Sequence, residues 1–518
     1  MTFKSIISSD KLVSILTVGF FSAFLFAATM DISHFSTIIN TLFGQVAHLF
    51  GPFWQWLMVG NFILALIVAL SPAGRMTLGK RSKPEISTFR WLSMIMCTLL
   101  AGGGVFWSAA EPVYHFMSVP PTFSDAQPAS SSAVSAALSQ SFFHWGFLAW
   151  AVLGTLSTII LMHAHHQKGL KLRPRALLYP LFGKRLENHW FGAVVDTVSI
   201  IGVAAGTIGP IGFLASQLGY SVESLFGVEN SLTLQLCILS AVVAAYSISA
   251  FSGMDKGLQW LSKLNVIGAV LLLLAVLILG PTAFIFEQFG HAFGHYVVNF
   301  PAMSLGEHEA GWMTGWTWFF WGWFIGFAPM MAIFIAKISD GRSIRNLVFA
   351  VAVCAPIATN FWFSALGGTG IFFELTQAGS ISAPLADAGL PAVLIAMLQQ
   401  LPLQFILVPA FLLLTTTFVA TTGDSMAYSI AVVTSQNTTP SKYHRLFWAL
   451  MLGIVAGVLL MAGEGGLGAL QSFIVITAAP VSLLVAVTLI CAPITIREMM
   501  RQNAHVNSAD LVPVSQRV

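Results

Sequence analysis

Residues 311–345 read GWMTGWTWFFWGWFIGFAPMMAIFIAKISDGRSIR, and how this stretch is read decides the fold. About twenty of its residues form an apolar run, long enough for a helix to cross the roughly 30 Å hydrocarbon core of a bilayer. Lys337, Arg342 and Arg345 close the run with positive charge. Trp316, Phe320, Trp323 and Phe327 recur at helical spacing and share one face. Such a stripe either packs a neighbouring helix or offers ring faces to a cation. The stretch alone leaves both open.

The surrounding composition settles the solvent. Of 518 residues, 56% are hydrophobic and 8% charged, and the mean hydropathy is +0.82. A soluble domain carries about 25% charged residues, so the unit here is a membrane bundle. Twelve apolar spans are expected, near 12–32, 53–73, 91–112, 141–163, 190–217, 231–252, 264–286, 314–336, 346–368, 403–434, 445–462 and 468–492. All 23 Lys and Arg fall in the two tails and in every second loop, those near 74–90, 164–189, 253–263, 337–345 and 435–445. By the positive-inside rule both termini and these loops are cytoplasmic, which fits a multi-pass protein of a bacterial-type inner (plasma) membrane. The first span follows Lys4 and Lys11 as a signal peptide would, but no convincing cleavage site follows it and it is read as retained. Cys97, Cys237, Cys354 and Cys491 lie in apolar spans without paired spacing, so neither a disulfide framework nor a metal motif is expected.

Three spans carry interruptions. The third holds Ala101-Gly102-Gly103-Gly104 and ends in Glu111-Pro112, the fifth holds Gly202, Gly206, Gly209-Pro210 and Gly212, and the eighth holds Gly322, Gly326 and Pro329. Broken helices at corresponding positions of two halves point to a midplane transport site, and the eighth span is the counterpart of the third in a five-plus-five arrangement. Glu111, His144, Asp196 and Asp424 are the ionisable residues within spans; at membrane depth such groups are functional or locked into polar pairs. Asp196, near the start of its span, is within reach of the interface. Thr421-Thr422 before Asp424 offers hydroxyl ligands for a small cation, or merely bonds back to its own helix.

Read in order, several motifs resemble the betaine/choline/carnitine transporter family: PEISTFRWLSMIM (84–96), VFWSAAEPVYH (105–115), SFFHWGFLAWA (141–151), RPRALLYPLFG (173–183), VVDTVSIIG (194–202), SGMDKGLQWLSKLN (252–265), GPTAFIF (280–286), the opening stretch and FWFSALGGTG (361–370). The resemblance covers about residues 76–435. It implies an all-α, leucine-transporter-like fold of twelve helices, with a five-plus-five inverted repeat behind two extra N-terminal helices. The expected division is a tail at 1–11, the two added helices at 12–75, a first repeat at 76–286, an external amphipathic connector at 287–313, a second repeat at 314–492 and a cytoplasmic tail at 493–518. It further implies a homotrimer and a small onium substrate, with the bilayer as surroundings and no nucleic acid.

Carried over position by position, the family's aromatic box falls on Tyr114, Trp145, Trp150 and Phe324, with Leu153 where sodium-coupled carriers have Tyr. Trp323, Phe327 and Met331 complete the eighth-span lining. The sodium sites fare less well. Val203 and Gly209-Pro210 replace fifth-span hydroxyls, and Met331 supplies a thioether. Lys263 matches a position where the exchanger branch carries a fixed cation. Phe418, Thr421 and Thr422, with Cys97 and Leu100 as carbonyl donors, still match the other sodium site. The expectation is therefore a secondary transporter of quaternary-ammonium zwitterions (glycine betaine, choline, carnitine or related), favouring sodium-independent exchange or uptake. The alternative is a sodium- or proton-coupled symporter of a sulfonium or sulfonate compound, such as dimethylsulfoniopropionate or taurine. No cofactor is expected beyond a possible coupling Na⁺.

Other classes fit less well. An enzyme would need a nucleophile–base set or metal cluster, and the sparse His144, Glu111 and Asp424 give no such spacing. A channel would show a selectivity motif, and an osmosensor a longer charged tail than residues 497–518 offer.

Overall fold

Spanning segments must satisfy their own backbone hydrogen bonds in lipid, which leaves helices as the available solution for apolar runs of this length. The computed structural model describes residues 9–99, 103–252, 255–435 and 440–510; for 9, 97–99, 255–260, 262 and 503–510 this covers the backbone alone. Among the described residues every regular element is a helix, and the one isolated bridge joins Thr77 to Ser343.

In chain order the helices used below are α1 (Ser9–Met30), α2 (Ile32–Leu70), α3 (Thr88–Leu99), α4 (Val105–Met117), α5 (Ser131–His144), α6 (Phe147–Gly154), α7 (Leu156–Lys168) and α8 (Trp190–Phe226). They continue as α9 (Leu232–Ser252), α10 (Asp255–Leu279), α11 (Thr282–Leu305), α12 (Ala310–Gly315), α13 (Thr317–Ile338) and α14 (Ile344–Thr376, through a π turn at Ala350–Cys354). Last come α15 (Leu390–Gln399), α16 (Gln404–Thr434), α17 (Lys442–Ala462) and α18 (Gly468–Asp510).

Ten segments among the described residues are long and apolar enough to cross a membrane, and the pair 263–279 and 282–305, bent by 107°, makes an eleventh. These correspond to eleven of the twelve expected spans. The remaining one, near 91–112, is represented by α3 and α4, which flank residues 100–102 outside the described set. The segments 131–168, 190–226 and 310–338 are enclosed by the others, whereas α1 presents most of its surface outward.

The interruptions fall differently from the sequence expectation. The expected break of the third span at Ala101-Gly102 lies outside the described residues. The fifth is one continuous helix of 37 residues through Gly209-Pro210, and the eighth runs unbroken from Thr317 to Ile338 through Pro329. The fourth span, by contrast, breaks at Trp145-Gly146 and again at Thr155. A helix tolerates an internal proline when the carbonyl four residues earlier finds another partner. In α8 the carbonyl freed by Pro210 is that of Gly206, and the Trp323 indole N–H donates to it at 3.0 Å. The glycines of α8 serve close packing: a Cβ on Gly202 would lie 3.1 Å from the Gly326 carbonyl oxygen of α13.

At the Lys- and Arg-bearing face the helix ends are tied by ion pairs. Asp196, fully enclosed rather than reaching an interface, accepts from the Arg175 backbone N–H at 2.8 Å and from Arg175 Nε at 2.7 Å. Asp10 of α1 pairs with Arg173, and Glu498 of α18 pairs with Lys168 of α7. The loop after α7 thereby joins the first helix to the last.

Candidate aromatic cage and its surroundings

The site is built where the fourth span bends between α5 and α6 beside the continuous helices α8 and α13. Because α5 stops at His144 and Gly146 is not helical (φ −97°, ψ −138°), Trp145 sits on a bend instead of a helix face. Its ring centroid lies 5.3 Å from Phe324, 5.9 Å from Trp323 and 5.5 Å from Phe320, each nearly edge-to-face, and 5.1 Å from Phe363. Trp323 and Phe324 are parallel to within 1°. Edge-to-face and offset arrangements are the favoured ones between aromatic quadrupoles, and the negative ring faces so assembled are what a cation seeks.

Glycine permits the closeness. A Cβ on Gly103, two residues before α4, would come within 2.2 Å of the Trp323 ring. One on Gly206 would lie 2.7 Å from the Phe327 ring and 3.2 Å from Trp323. Trp323 is thus held between α4 and α8 by two absent side chains and one hydrogen bond.

The residues singled out from sequence divide into levels. Trp145, Trp323 and Phe324 come together in one cluster. Tyr114 sits further from the basic face, 4.6 Å from Trp316 at the start of α13, and connects to the cluster through Trp107, which contacts Trp316, Phe319 and Phe320. Trp150 is enclosed one turn on from Trp145 towards the basic face, and its indole N–H donates to Thr359 of α14 at 3.1 Å. Phe327 lies beside Gly206 at a similar level. Leu153 and Met331 are buried on α6 and α13. Together the rings form a column from Tyr114 and Trp316 to Trp150 and Phe327.

Sequence reasoning missed Phe363 and Trp107, and placed Phe320 in the aromatic stripe but not in the box. It also missed Asn360, one turn before Phe363, whose amide is fully buried with neither Nδ2 nor Oδ1 hydrogen-bonded. A buried polar group is ordinarily paired, so this amide is a donor and acceptor in search of a partner. The FWFSALGG motif was the available signal, since Phe363 and Asn360 stand three residues apart and share a helix face.

Of the candidate sodium ligands, the Thr421 hydroxyl is engaged with other partners. Thr421 Oγ1 accepts from Asn265 Nδ2 at 2.9 Å and donates to the carbonyls of Thr417 and Phe418, while Thr417 donates to Asn265 Oδ1 at 2.6 Å. Thr422 is half-buried beside it. Leu100 and the side chain of Cys97 lie outside the described residues. Lys263 is exposed; Asn265, two positions on, is the residue of α10 that reaches Thr421. Asp424 accepts from Ser249 Oγ at 2.6 Å and lies 3.5 Å from Arg445, a structural pairing near the basic face.

Against known proteins, the family model described as the betaine/carnitine/choline family transporter matches residues 12–501. Glycine betaine transporter 2 of Vibrio parahaemolyticus is 49% identical over 478 residues, 92% of this chain and 88% of its own. The ectoine/hydroxyectoine transporter of Virgibacillus pantothenticus is 33% identical over 86% of this chain and 89% of its own. The glycine betaine transporter OpuD of Bacillus subtilis is 31% identical over 83% and 84% respectively.

Proposed function

The chain belongs to the betaine/carnitine/choline transporter family, and from that premise we propose that it carries glycine betaine across a bacterial inner membrane by alternating access. Related quaternary-ammonium compounds such as choline and carnitine are the next candidates. The observation that carries the proposal is the Trp145–Trp323–Phe324–Phe363 ring cluster at the bend of the fourth span. Ring faces attract a trimethylammonium group by about 0.5–2 kcal/mol each without a full counter-charge, so the ligand is held and can still leave. Asn360 supplies amide hydrogens of the kind a zwitterion's carboxylate requires. The rings contact one another, so a substrate enters by parting them, and helix rocking then opens the column to one face at a time.

Sodium-independent exchange or uptake is the proposed mode. It is supported by Val203 and Gly209-Pro210 in place of hydroxyls, and by the Thr421 hydroxyl already bonded to Asn265. The termini are proposed to be cytoplasmic from the charge of the loops. A homotrimer follows from the family resemblance and is checked by native mass spectrometry.

The deciding experiment is uptake of labelled glycine betaine into proteoliposomes, with and without a sodium gradient and with and without unlabelled betaine inside. Internal betaine should accelerate uptake and sodium should not. Uptake that requires an inward sodium gradient would overturn the coupling proposal. Transport of taurine or dimethylsulfoniopropionate in preference to betaine would overturn the substrate proposal.

A further inference from the structure

Immediately behind the cage lies a cluster of three titratable groups that the transport proposal does not use. Glu111 of α4 and His144 of α5 are fully enclosed, and His144 Nδ1 is 2.6 Å from Glu111 Oε1. His115, one turn on from Glu111 and equally enclosed, places Nε2 3.5 Å from the same oxygen, and neither of its ring nitrogens has a hydrogen-bond partner. The other carboxylate oxygen, Oε2, accepts the indole N–H of Trp145 at 2.8 Å. One carboxylate therefore faces two imidazoles on one side and holds a cage ring on the other.

The surroundings of His144 suit either protonation state. Nε2 lies 3.0 Å from the Gln140 amide nitrogen and 2.9 Å from the Thr317 hydroxyl. With the amide nitrogen facing it, Nε2 is an acceptor and His144 is neutral, donating through Nδ1 to Glu111. Gln140 Oε1 has no partner in that arrangement. Turning the amide by 180° presents that oxygen instead, and the Thr317 hydroxyl can accept as readily as donate. The same three partners, Glu111, Gln140 and Thr317, then hold an imidazolium. A purely structural ion pair has no need of neighbours that reverse their polarity.

Other titratable groups on the elements packed around the cluster are committed elsewhere. Glu374 of α14 is bonded to the backbone N–H groups of Gly379, Ile381 and Ser382, and Asp196 of α8 to Arg175. On α11, which packs against α5, His295 meets Ser139, and His291 lies near Glu287; α15 carries no ionisable residue. Glu223 and Tyr220 stand at the far end of α8 and Lys337 at the basic end of α13.

We infer that Glu111, His144 and His115 form a proton-binding site linked through the Trp145 indole to the cage, so that an onium ion entering the cage expels a proton. The inference rests on the cage proposed above. A cation set against the far side of the indole favours the ionised carboxylate and disfavours a second positive charge on the imidazoles. By linkage, affinity for the onium ion then rises with pH wherever the cluster releases its proton, by up to about tenfold per pH unit for one proton exchanged.

The test is calorimetric binding of glycine betaine to the purified full-length protein in detergent, from pH 5.5 to 9, in buffers of differing ionisation enthalpy. Glycine betaine does not titrate in this range, so any proton belongs to the protein. The expected results are proton release on binding, a Kd that falls as pH rises, and loss of both effects in Glu111→Gln, which keeps an acceptor for Trp145. A parent Kd that is constant with pH, proton uptake in place of release, or a full slope retained by Glu111→Gln would each overturn the inference. The parent's own pH dependence needs no variant to fold. If the parent fails to bind betaine at any pH, the cage proposal fails first and this inference with it.

Discussion

Pro210 should matter to substrate affinity through the backbone carbonyl it frees. It removes the N–H that would bind the Gly206 carbonyl, and its ring pushes that carbonyl off the helix axis. The Trp323 indole N–H takes the freed oxygen at 3.0 Å, and this bond fixes one wall of the cage. In Pro210→Ala the helix reclaims the carbonyl and the indole loses its aligned acceptor. A neutral hydrogen bond contributes about 0.5–1.5 kcal/mol net, and about 1.4 kcal/mol is tenfold in a binding constant. The apparent KM for glycine betaine uptake in proteoliposomes should therefore rise two- to tenfold, in the order-of-magnitude sense of those values. Stability should move the opposite way, because a proline in a helix interior costs about 3 kcal/mol relative to alanine, so the Tm should increase. In a Trp323→Phe background, which has no N–H to place, Pro210→Ala should leave KM unchanged. An equal rise in KM in both backgrounds would refute the link between Pro210 and Trp323.

Three further outcomes follow from the same contacts. Phe363→Ala should raise the KM for betaine about tenfold, the scale of one lost ring face with its packing; an unchanged KM would remove Phe363 from the cage. Asn360→Leu should weaken betaine and carnitine, which carry a carboxylate, by two- to tenfold on the scale of one hydrogen bond, and choline hardly at all; equal loss for all three would show that Asn360 meets no carboxylate. Asp196→Ala should strip the buried Arg175 of its closest carboxylate and leave the Asp10 carboxylate 3.8 Å away, at a cost of up to about 3–5 kcal/mol, seen as a fall in Tm; an unaltered Tm would mean the pair is not structural.

What the sequence made legible followed from local rules. Apolar length and the placement of Lys and Arg located eleven spans now seen as helices or as a bent pair. The ordered motifs identified the family, and the stripe on residues 316–327 has its Phe320 and Trp323 in ring contact with Trp145. What stayed hidden depends on partners distant in the chain. The continuity of α8 through Gly209-Pro210 depends on an indole more than a hundred residues away. The bend at Trp145-Gly146 carries one glycine and no proline, a weaker local signal than the glycine-rich spans that proved continuous. For Thr421 the sequence left a cation ligand and a bond back to its own helix both open, and nothing in that helix announces Asn265. Phe363 looked like an ordinary apolar-span residue until α14 set it beside Trp145, and Asn360 until its buried amide was seen without a hydrogen-bond partner.

The claim that ring faces recognise a positive charge, and not merely a shape, has a direct test. 3,3-Dimethylbutanoate has the outline of glycine betaine with carbon in place of the quaternary nitrogen, so it keeps the carboxylate and the three methyl groups but loses the cation. Its competition against labelled betaine uptake should be measured beside that of unlabelled betaine itself. An aromatic cage acting by cation–π attraction predicts that betaine competes and the neutral-headed isostere competes at least a hundredfold more weakly, the combined effect of several ring faces. Equal competition by the isostere would contradict the cage.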